Sequence, residues 1–493
     1  MTTIKLARED LLKHQAWIDG RWQAAASGAS FAVHDPATGE LLAEVSDLGA
    51  DDTSAAISAA DSAFAGWRAL TAKQRSEILY RWYQLMLQHA DDLAMLITRE
   101  QGKPLAEAQG EIGYAASFVQ WFAEEAKRAY GELIPSPWPD ARIQVLRQPI
   151  GVVASITPWN FPAAMITRKA TPALAAGCPV VIKPSEETPL TALALAVLAD
   201  EAGFPPGVFN IVTSNQAAAV GEVLSSHPDV AMLSFTGSTA VGKLLMRQCA
   251  STVKKTAMEL GGNAPFIVFA DADLDAAVDG LMVSKFRNTG QTCVCANRIL
   301  VQDDVYAEFA DRLRDRVGEM KQGMGTGDGV MLGPLINRAG RDKVQRLVDD
   351  ALAQGAACHW QGELGGLDAQ RYYPPTVLTG IQGGMAIASE EIFGPVAALT
   401  RFHDEAEAIQ LANATRAGLA AYFYARDIGR IWRVQEALEY GIVGVNAGII
   451  STEVAPFGGV KESGLGREGS RHGMEEFLQM KYVLQGGLEE SRG

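Results

Sequence analysis

The feature that most constrains the fold is a regular alternation of short apolar runs with helical segments from about residue 150. Five runs read as buried strands: IGVVASI, CPVVIK, GVFNIVT, AMLSFTG and FIVF. Helical patterns lie between them, and TPLTALALAVLADEAG at 188–203 is the clearest, closed by Gly203. Short apolar strands that alternate with helices predict βαβ units and a parallel sheet.

A second set of alternating elements begins after about residue 262. It runs from the helical DADLDAAVDGLMVSKF through the strand NRILVQ to the helical VYAEFADRLRDRVGEM. Upstream, residues 52–130 have a helical pattern that ends at the Pro-rich GELIPSPWPD of 131–140. The tail FLQMKYVLQ at 477–485 indicates a strand outside both sheets, and we expect a partner subunit to use it. Two α/β domains joined near residue 262 are therefore predicted.

The composition excludes several classes of function. Of the 493 residues 48% are hydrophobic and 20% charged, so the chain can bury large cores. A formal net charge of −15 argues against a nucleic-acid surface, which would need a basic patch. No apolar run is long enough for a membrane span, and the start, MTTIKLARED, lacks the apolar core of a secretory signal. Five cysteines in so long a chain suit a reducing compartment, so the cytoplasm is expected.

Two of the five cysteines, Cys293 and Cys295, lie one residue apart in FRNTGQTCVC at 286–295. A metal site is not expected, because the seven histidines show no ligand spacing that could complete it. A permanent disulfide between the two would close a very small, strained ring. The residues alone leave two interpretations open. Either both cysteines are buried core residues, or one is a nucleophile on the polar loop NTGQT.

A longer set of motifs bears on that choice. MELGGNAPFIVF (258–269) followed by FRNTGQTCVC resembles the paired signatures of the NAD(P)-dependent aldehyde dehydrogenases. The resemblance continues, in the family's order, through TPWNFP, KPSEETP, SFTGST, EEIFGP and PFGGVKESGLGRE. Within the family, SKFRNTGQTCVCANR and GIISTEVAPFGG look most like the succinate-semialdehyde dehydrogenases.

The resemblance implies a fold of two Rossmann-type parallel-sheet α/β domains with a β oligomerisation arm. It implies a dinucleotide-binding domain at 1–130 and 150–262, a catalytic domain at 263–470 and oligomerisation segments at 131–149 and 471–493. A homodimer, or a homotetramer built from two dimers, is expected.

The resemblance also implies a set of catalytic residues. Cys293 matches the nucleophile, which attacks an aldehyde to form a thiohemiacetal and then a thioester. Glu259 matches the general base that activates water, and an apolar neighbourhood beside Gly261 and Gly262 would raise its pKa. Asn160 matches the oxyanion donor, with the Cys293 backbone N–H as the second donor.

The cofactor implied by the resemblance is NAD, with NADP as the alternative. No G-x-G-x-x-G motif occurs in a strand–helix context, and GSTAVG at 237–242 comes nearest. A carboxylate at Glu186, beside the ribose 2′-hydroxyl, should repel the extra phosphate of NADP, although Ser185 could soften that preference. The cofactor-binding residues implied are Trp159, Lys183, Ser185, Glu186, Gly237, Ser238, Glu391 and Phe393.

The substrate implied by the resemblance is a small aldehyde with a carboxylate. Arg168, Arg287 and Ser451 match the residues that hold the carboxylate of succinate semialdehyde, and two converging arginines suit such a group. Glutarate semialdehyde is the closest alternative, because one methylene changes binding by only about 1–3 kcal/mol.

Two further roles come from the resemblance alone. Cys295 resembles a redox partner that forms a reversible disulfide with Cys293 and switches the enzyme off. Glu468, in GLGRE, matches a glutamate that passes protons inward in some relatives. A CoA-acylating relative and a non-catalytic relative are the alternative classes. The presence of Glu259 argues against the first, and the presence of Cys293 argues against the second.

Overall fold

The computed structural model describes residues 4–488, and it is an α/β protein with two large sheets and two small ones. The strands in the first half of the chain are β1 (Ala16–Ile18), β2 (Arg21–Gln23), β3 (Ser30–His34), β4 (Leu41–Ser46), β5 (Glu132–Ile134), β6 (Arg142–Pro149), β7 (Val152–Ile156), β8 (Val180–Lys183), β9 (Phe209–Ile211), β10 (Val230–Thr236) and β11 (Lys255–Glu259). The strands that follow are β12 (Ala264–Val268), β13 (Ala296–Gln302), β14 (Ala357–Gln361), β15 (Thr376–Thr379), β16 (Val396–Phe402), β17 (Ala420–Tyr424), β18 (Ile442–Val445), β19 (Gly464–Leu465) and β20 (Leu478–Gln485).

The α-helices fall into two groups along the chain. Those before residue 260 are α1 (Ala50–Ala69), α2 (Ala72–Gln88), α3 (Ala90–Gln101), α4 (Leu105–Glu125), α5 (Ala164–Ala176), α6 (Pro189–Ala202), α7 (Ala217–Ser226) and α8 (Thr239–Cys249). Those after it are α9 (Leu274–Lys285), α10 (Tyr306–Gly318), α11 (Arg338–Ala353), α12 (Ala386–Ser389), α13 (Glu405–Asn413), α14 (Ile428–Ala437) and α15 (Ser470–Glu475).

The first large sheet has the strand order β19-β11-β10-β7-β8-β9-β1-β2. Its five central strands, β11 to β9 in that order, run parallel, and the edge strands pair antiparallel. The chain enters at β7, adds β8 and β9 on one side, and then adds β10 and β11 on the other. The strand order therefore reverses between β7 and β10, and in α/β sheets ligands bind at such a switch point.

Helices cover both faces of this sheet, which explains why its strands read as continuous apolar runs. Side chains of β7 alternate between the two faces. Val153 packs with helices α2 to α6, whereas Val152 and Ala154 pack with α1, α7 and α8. Helix α6 ends at Gly203, whose left-handed φ of 92° closes the helix as the sequence predicted.

The second large sheet has the order β14-β15-β16-β13-β12-β17-β18 and is parallel except for β14. Helices α9 and α10 cover one face, and α13 and α14 cover the other. The two sheets divide between Glu259 and Ala264, next to the predicted junction at residue 262. The short strand β19 returns to the first sheet, where it pairs with the end of β11.

The predicted strand near the C-terminus is confirmed, since β20 spans Leu478–Gln485. This strand pairs antiparallel with β6 of its own chain along its whole length, so it needs no strand of another subunit as a neighbour. With β5 these strands form a separate three-stranded arm. Residues 489–493 of the predicted oligomerisation segment lie outside the described residues. Within residues 4–488 no helix is both long and apolar enough to cross a bilayer.

Candidate active site

The site forms at the carboxyl edge of the first sheet. Asn160 follows β7, Lys183 ends β8, Ser238 follows β10 and Glu259 ends β11. These strands are parallel neighbours, so their carboxyl ends meet at one edge, on both sides of the switch point between β7 and β10.

A cavity of about 230 Å³ opens at this edge, beside loops of the second sheet. Many of the predicted site residues line it, namely Trp159, Asn160, Arg168, Gly237, Ser238, Arg287, Cys293, Glu391, Phe393 and Ser451. Others of that set lie outside its lining, namely Lys183, Ser185, Glu186, Glu259 and Cys295. The lining is mostly apolar, so polar groups that face the cavity are poorly screened by water.

The loop before Cys293 has an unusual backbone. Asn288 and Thr289 have left-handed φ values of 51° and 56°, which are rare outside glycine and are found at functional sites. Within residues 4–488, the backbone N–H of Cys293 donates no hydrogen bond. A Cβ added to Gly262 would lie 2.2 Å from the Cys293 carbonyl oxygen, so only glycine allows β11 to approach the loop this closely.

The thiol of Cys293 sits in a dry environment. Burial raises its pKa to about 12, and the nearby Arg168 charge acts in the opposite direction. The thiol is therefore the stable form at neutral pH.

The side chain of Asn160 is buried and fixed. Its Nδ2 donates to the Gln291 carbonyl oxygen at 3.0 Å. An amide nitrogen carries two hydrogens, so one remains for a ligand oxygen in the cavity. Together with the unused N–H of Cys293, this gives the two donors that an oxyanion beside the sulfur would need.

Glu259 is buried, and its Oε2 has no hydrogen-bond partner among the described residues. Burial raises the pKa of Glu259 well above its ordinary value, and the negative charge of Glu468 raises it further. The apolar neighbourhood expected from the sequence is thus present, and it prepares this carboxyl group to accept a proton.

Arg168 lines the cavity, but its charge is already paired. Its Nη2 lies 2.7 Å from Oε2 of Glu468, and the neighbouring Lys169 donates to Oε1 of Glu468 at 2.5 Å. The guanidinium also stacks 4.0 Å from the Phe457 ring centroid. Although burial acts to raise the pKa of Glu468, the charges of Lys169 and Arg168 hold it below its ordinary value. Glu468 thus serves as a fixed counter-ion for Arg168.

Arg287, by contrast, has no ion pair and no side-chain hydrogen bond within residues 4–488, and its guanidinium lies 5.1 Å from the Phe161 ring centroid. Ser451 lines the same cavity. Of the two predicted arginines, Arg287 is therefore the one whose charge is available to a ligand.

The sequence analysis missed Tyr114, which reaches the cavity from α4. Its hydroxyl is buried without a partner among the described residues, and burial raises its pKa, so it stays a neutral donor. A tyrosine in an amphipathic helix gives no signal that separates it from core residues. Phe161 and Phe457, which also line the cavity, lie inside quoted motifs and could have been named.

At the other end of the cavity, Trp159 and Phe393 meet edge to face, with ring centroids 5.7 Å apart. Phe393 has a left-handed φ of 58°, a second local strain at this site. Glu391 accepts a hydrogen bond from the Gly262 N–H at 3.3 Å, and burial raises its pKa to about 7. This carboxyl group therefore links the cavity to the turn after β11.

The remaining predicted cofactor residues surround the switch point. Lys183 Nζ lies 3.1 Å from Oε2 of Glu186, at the end of β8 where Ser185 is buried. Ser238 caps α8, with its hydroxyl accepting from the Val241 N–H at 3.4 Å. A Cβ on Gly237 would lie 2.5 Å from the Phe235 ring, so glycine keeps the turn into α8 close to the sheet.

Cys295 faces away from the cavity. Its Sγ donates to the Lys285 carbonyl oxygen at 3.4 Å, behind the start of β13. A disulfide with Cys293 would require that thiol to turn, and the redox pairing stays a prediction.

Sequence comparison decides the family. A model described as the aldehyde dehydrogenase family matches residues 22–483. The chain belongs to the aldehyde dehydrogenase family. The predicted enzyme class and the predicted fold of two α/β units with a strand arm are thereby confirmed.

Relatives of this aldehyde dehydrogenase differ in the aldehyde they are named for. The 3-sulfolactaldehyde dehydrogenase of Pseudomonas putida is 57% identical over 99% of this chain and 100% of its own. The NADP(+) succinate-semialdehyde dehydrogenase GabD of Escherichia coli K12 is 57% identical over 98% and 100%. The glutarate-semialdehyde dehydrogenase of Pseudomonas aeruginosa PAO1 is 55% identical over 98% and 100%.

Solved structures are equally similar. The succinate-semialdehyde dehydrogenase of Burkholderia pseudomallei has a TM-score of 0.96 and 58% identity, covering 98% of this chain and 99% of that one. A betaine aldehyde dehydrogenase of Staphylococcus aureus in complex with NAD+ has a TM-score of 0.94 and 37% identity, covering 98% and 96%.

Proposed function

We propose that this enzyme oxidises an aldehyde that carries an anionic group at its far end, with succinate semialdehyde as the first candidate and a nicotinamide dinucleotide as the oxidant. The observation that carries the proposal is Arg287, which makes no ion pair within residues 4–488 and lies in the same mostly apolar cavity as Cys293. An unpaired charge in such a site is costly, and a ligand anion offsets that cost. The named substrates of the three relatives are all anionic aldehydes.

The groups around Arg287 suit a carboxylate in particular. The hydroxyls of Tyr114 and Ser451 are further donors on the cavity wall. Arg168 adds positive field, but it is already ion-paired with Glu468, a carboxylate that it shares with Lys169. We therefore assign Arg287 the main contact with the substrate carboxylate, assisted by Tyr114 and Ser451, and give Arg168 a supporting role.

The chemistry begins at Cys293. The Cys293 thiol gives up its proton to water as its sulfur attacks the aldehyde carbon, and the carbonyl oxygen becomes an oxyanion that accepts hydrogen bonds from Asn160 Nδ2 and the Cys293 N–H. After hydride loss a thioester remains on Cys293. Glu259 then takes a proton from a water molecule, whose oxygen attacks the thioester carbon to release the acid and the cysteine.

The residues present fit a nicotinamide dinucleotide. The switch point provides the turn before α8, the polar pair Lys183 and Glu186, and the buried Glu391 beside an aromatic pair. When bound there, the dinucleotide supplies the acceptor for the hydride. Lys183 and Glu186 would hold the adenosine ribose, Ser238 the pyrophosphate, and Glu391 with Phe393 the nicotinamide ribose.

Glu186 supports NAD as the preferred cofactor. Its carboxylate is anchored by Lys183 at the end of β8 and is 39% exposed, and a carboxylate that holds the ribose 2′-hydroxyl would repel a 2′-phosphate. NADP remains the alternative, since the relative from Escherichia coli K12 is named for it.

The test is the initial rate of reduced-nicotinamide formation with succinate semialdehyde, glutarate semialdehyde and butanal, each with NAD and NADP. We expect both carboxylated substrates to exceed butanal in kcat/KM by at least roughly tenfold, because a hydrogen bond to a charged group contributes about 1.5–3 kcal/mol. Butanal as the best substrate would contradict the proposal. If glutarate semialdehyde were the best substrate, the result would support a glutarate-semialdehyde dehydrogenase as the second candidate function. The observation that favours this candidate is the similarity to the relative from Pseudomonas aeruginosa PAO1.

We also propose that the enzyme assembles as a homodimer or a homotetramer. The support is the arm of β5, β6 and β20, which carries exposed apolar side chains such as Leu133, Met480 and Tyr482.

A further inference from the structure

A buried ion pair lies directly behind the oxyanion residue. Lys103 and Glu111 are 0% and 1% exposed, and Lys103 Nζ donates to Glu111 Oε2 at 2.6 Å. Burial lowers the pKa of Lys103, and the charge of Glu111 opposes that shift. Neither residue lines the cavity. An ion pair this deep does little for net stability compared with apolar packing, so its position needs another explanation.

Lys103 contacts the backbone of Asn160. Its Nζ donates to the Asn160 carbonyl oxygen at 2.8 Å and lies 4.0 Å from the ring centroid of the next residue, Phe161. The second donor to that oxygen is Asn288 Nδ2, at 3.0 Å. The loop that carries the oxyanion amide is thus held by one group from the α3–α4 turn and one from the nucleophile loop.

Glu111 extends the same network to α5. Its Oε1 accepts from the backbone N–H groups of Ala163 and Ala164, at 2.9 and 3.3 Å. Helix α5 has no side-chain cap of its own, so Glu111 caps it from α4. One turn earlier on α4, Glu107 accepts from the Asn288 N–H at 2.7 Å. The start of α4 therefore fixes both loops that form the oxyanion site.

We propose that Lys103, paired with Glu111, is a positioning residue that sets the Asn160 amide for the oxyanion. The inference rests on the assignment of Asn160 as oxyanion donor. It does not rest on which aldehyde is the natural substrate, so it is tested with butanal as well as succinate semialdehyde.

The experiment compares Lys103→Met, the doubly neutral Lys103→Met/Glu111→Gln, and each of these combined with Asn160→Ala. The neutral pair leaves no uncompensated buried charge, and its glutamine oxygen can still cap α5, so it keeps the test valid if Lys103→Met alone does not fold. We expect kcat to fall about 100-fold for both substrates, with little change in KM, because a small displacement of a positioned group has effects of this size. In the Asn160→Ala background the same changes should have almost no further effect.

The control is Arg99→Met, which breaks a partly buried ion pair, that with Asp35 at 2.7 Å, away from the cavity lining. It should lower the melting temperature and leave kcat unchanged. A folded Lys103→Met/Glu111→Gln enzyme with kcat within roughly twofold of wild type would overturn the proposal. The proposal would also be overturned if the Lys103 variants lost the same factor in kcat with Asn160 as with Asn160→Ala. Lys103 would then act independently of Asn160. If the wild-type enzyme showed no preference for succinate semialdehyde over butanal, that result would contradict the substrate assignment. It would leave this test of Lys103 intact.

Discussion

At the residue scale, burial raises the pKa of both groups that we propose exchange protons. Burial raises the pKa of Cys293 to about 12, and burial with the charge of Glu468 raises that of Glu259. The same dry environment strengthens the hydrogen bonds that an oxyanion would receive from Asn160. The site therefore disfavours the Cys293 thiolate before the substrate binds. It stabilises the negative charge of the oxyanion once the sulfur has attacked the aldehyde.

The raised pKa of Cys293 predicts a pH dependence for alkylation in the absence of nucleotide. The thiolate is the reactive form, so the rate of inactivation by iodoacetamide should rise about tenfold per pH unit from pH 7 to pH 10. The measurement is residual activity against time at each pH, with Cys293 identified by mass spectrometry. A rate that levels off near neutral pH would show that the thiolate already exists there.

The proposed preference for NAD also rests on one residue. Glu186→Gln should raise kcat/KM for NADP relative to NAD by roughly fivefold, about 1 kcal/mol, because it removes a partly exposed like charge from the 2′-phosphate. Glu187→Gln is the matched control, since Glu187 is directed to Asn337, to which it lies at 2.8 Å. The same change in cofactor preference for both variants would contradict the assignment.

At the scale of elements, the apolar runs predicted the strands closely. CPVVIK contains β8 and NRILVQ nearly coincides with β13, because strands that are buried on both faces have continuous apolar sequences. Other features of the structure have no recognisable sequence pattern. β19 is too short to show a pattern, Tyr114 looks like any helix-core aromatic, and the pairing of Arg168 with Glu468 depends on packing between distant segments. The resemblance named residues of which many line one cavity in the structure, and only the structure showed that Arg287 makes no ion pair within residues 4–488.

The contact between β11 and the nucleophile loop predicts the effect of one methyl group. Gly262→Ala places a Cβ against the Cys293 carbonyl oxygen, so the loop must shift, and we expect kcat to fall roughly 100-fold. The comparison is Gly66→Ala at an exposed position of α1, where the Cβ meets no atom within 4 Å and should leave activity unchanged. A Gly262→Ala enzyme with full activity would show that the close approach is not required.

At the scale of the whole molecule, the two parallel sheets are complete without the arm of β5, β6 and β20. The arm pairs its own strands and leaves a row of apolar side chains exposed on one face, with Met480 at 66% and Tyr482 at 59%. Such a surface on a folded protein is typical of an interface between subunits. The domain limits and the size of the assembly stay predictions.

The arm predicts that assembly depends on that apolar row. Light scattering after gel filtration should give a mass of two or four times 52.7 kDa, and Met480→Lys/Tyr482→Lys should shift it to a smaller species. Charges buried at the interface would be the cause. Arg128→Ala and other surface changes outside the arm are not expected to shift the mass. A monomeric wild-type enzyme would contradict this use of the arm.

The most direct test of the central claim is kcat/KM for Arg287→Met with succinate semialdehyde and with butanal. Our account predicts a loss of roughly 10- to 100-fold for the carboxylated aldehyde, corresponding to about 1.5–3 kcal/mol, and no comparable loss for butanal. Equal losses for both aldehydes, or no loss for either, would contradict the assignment of Arg287 as the carboxylate anchor.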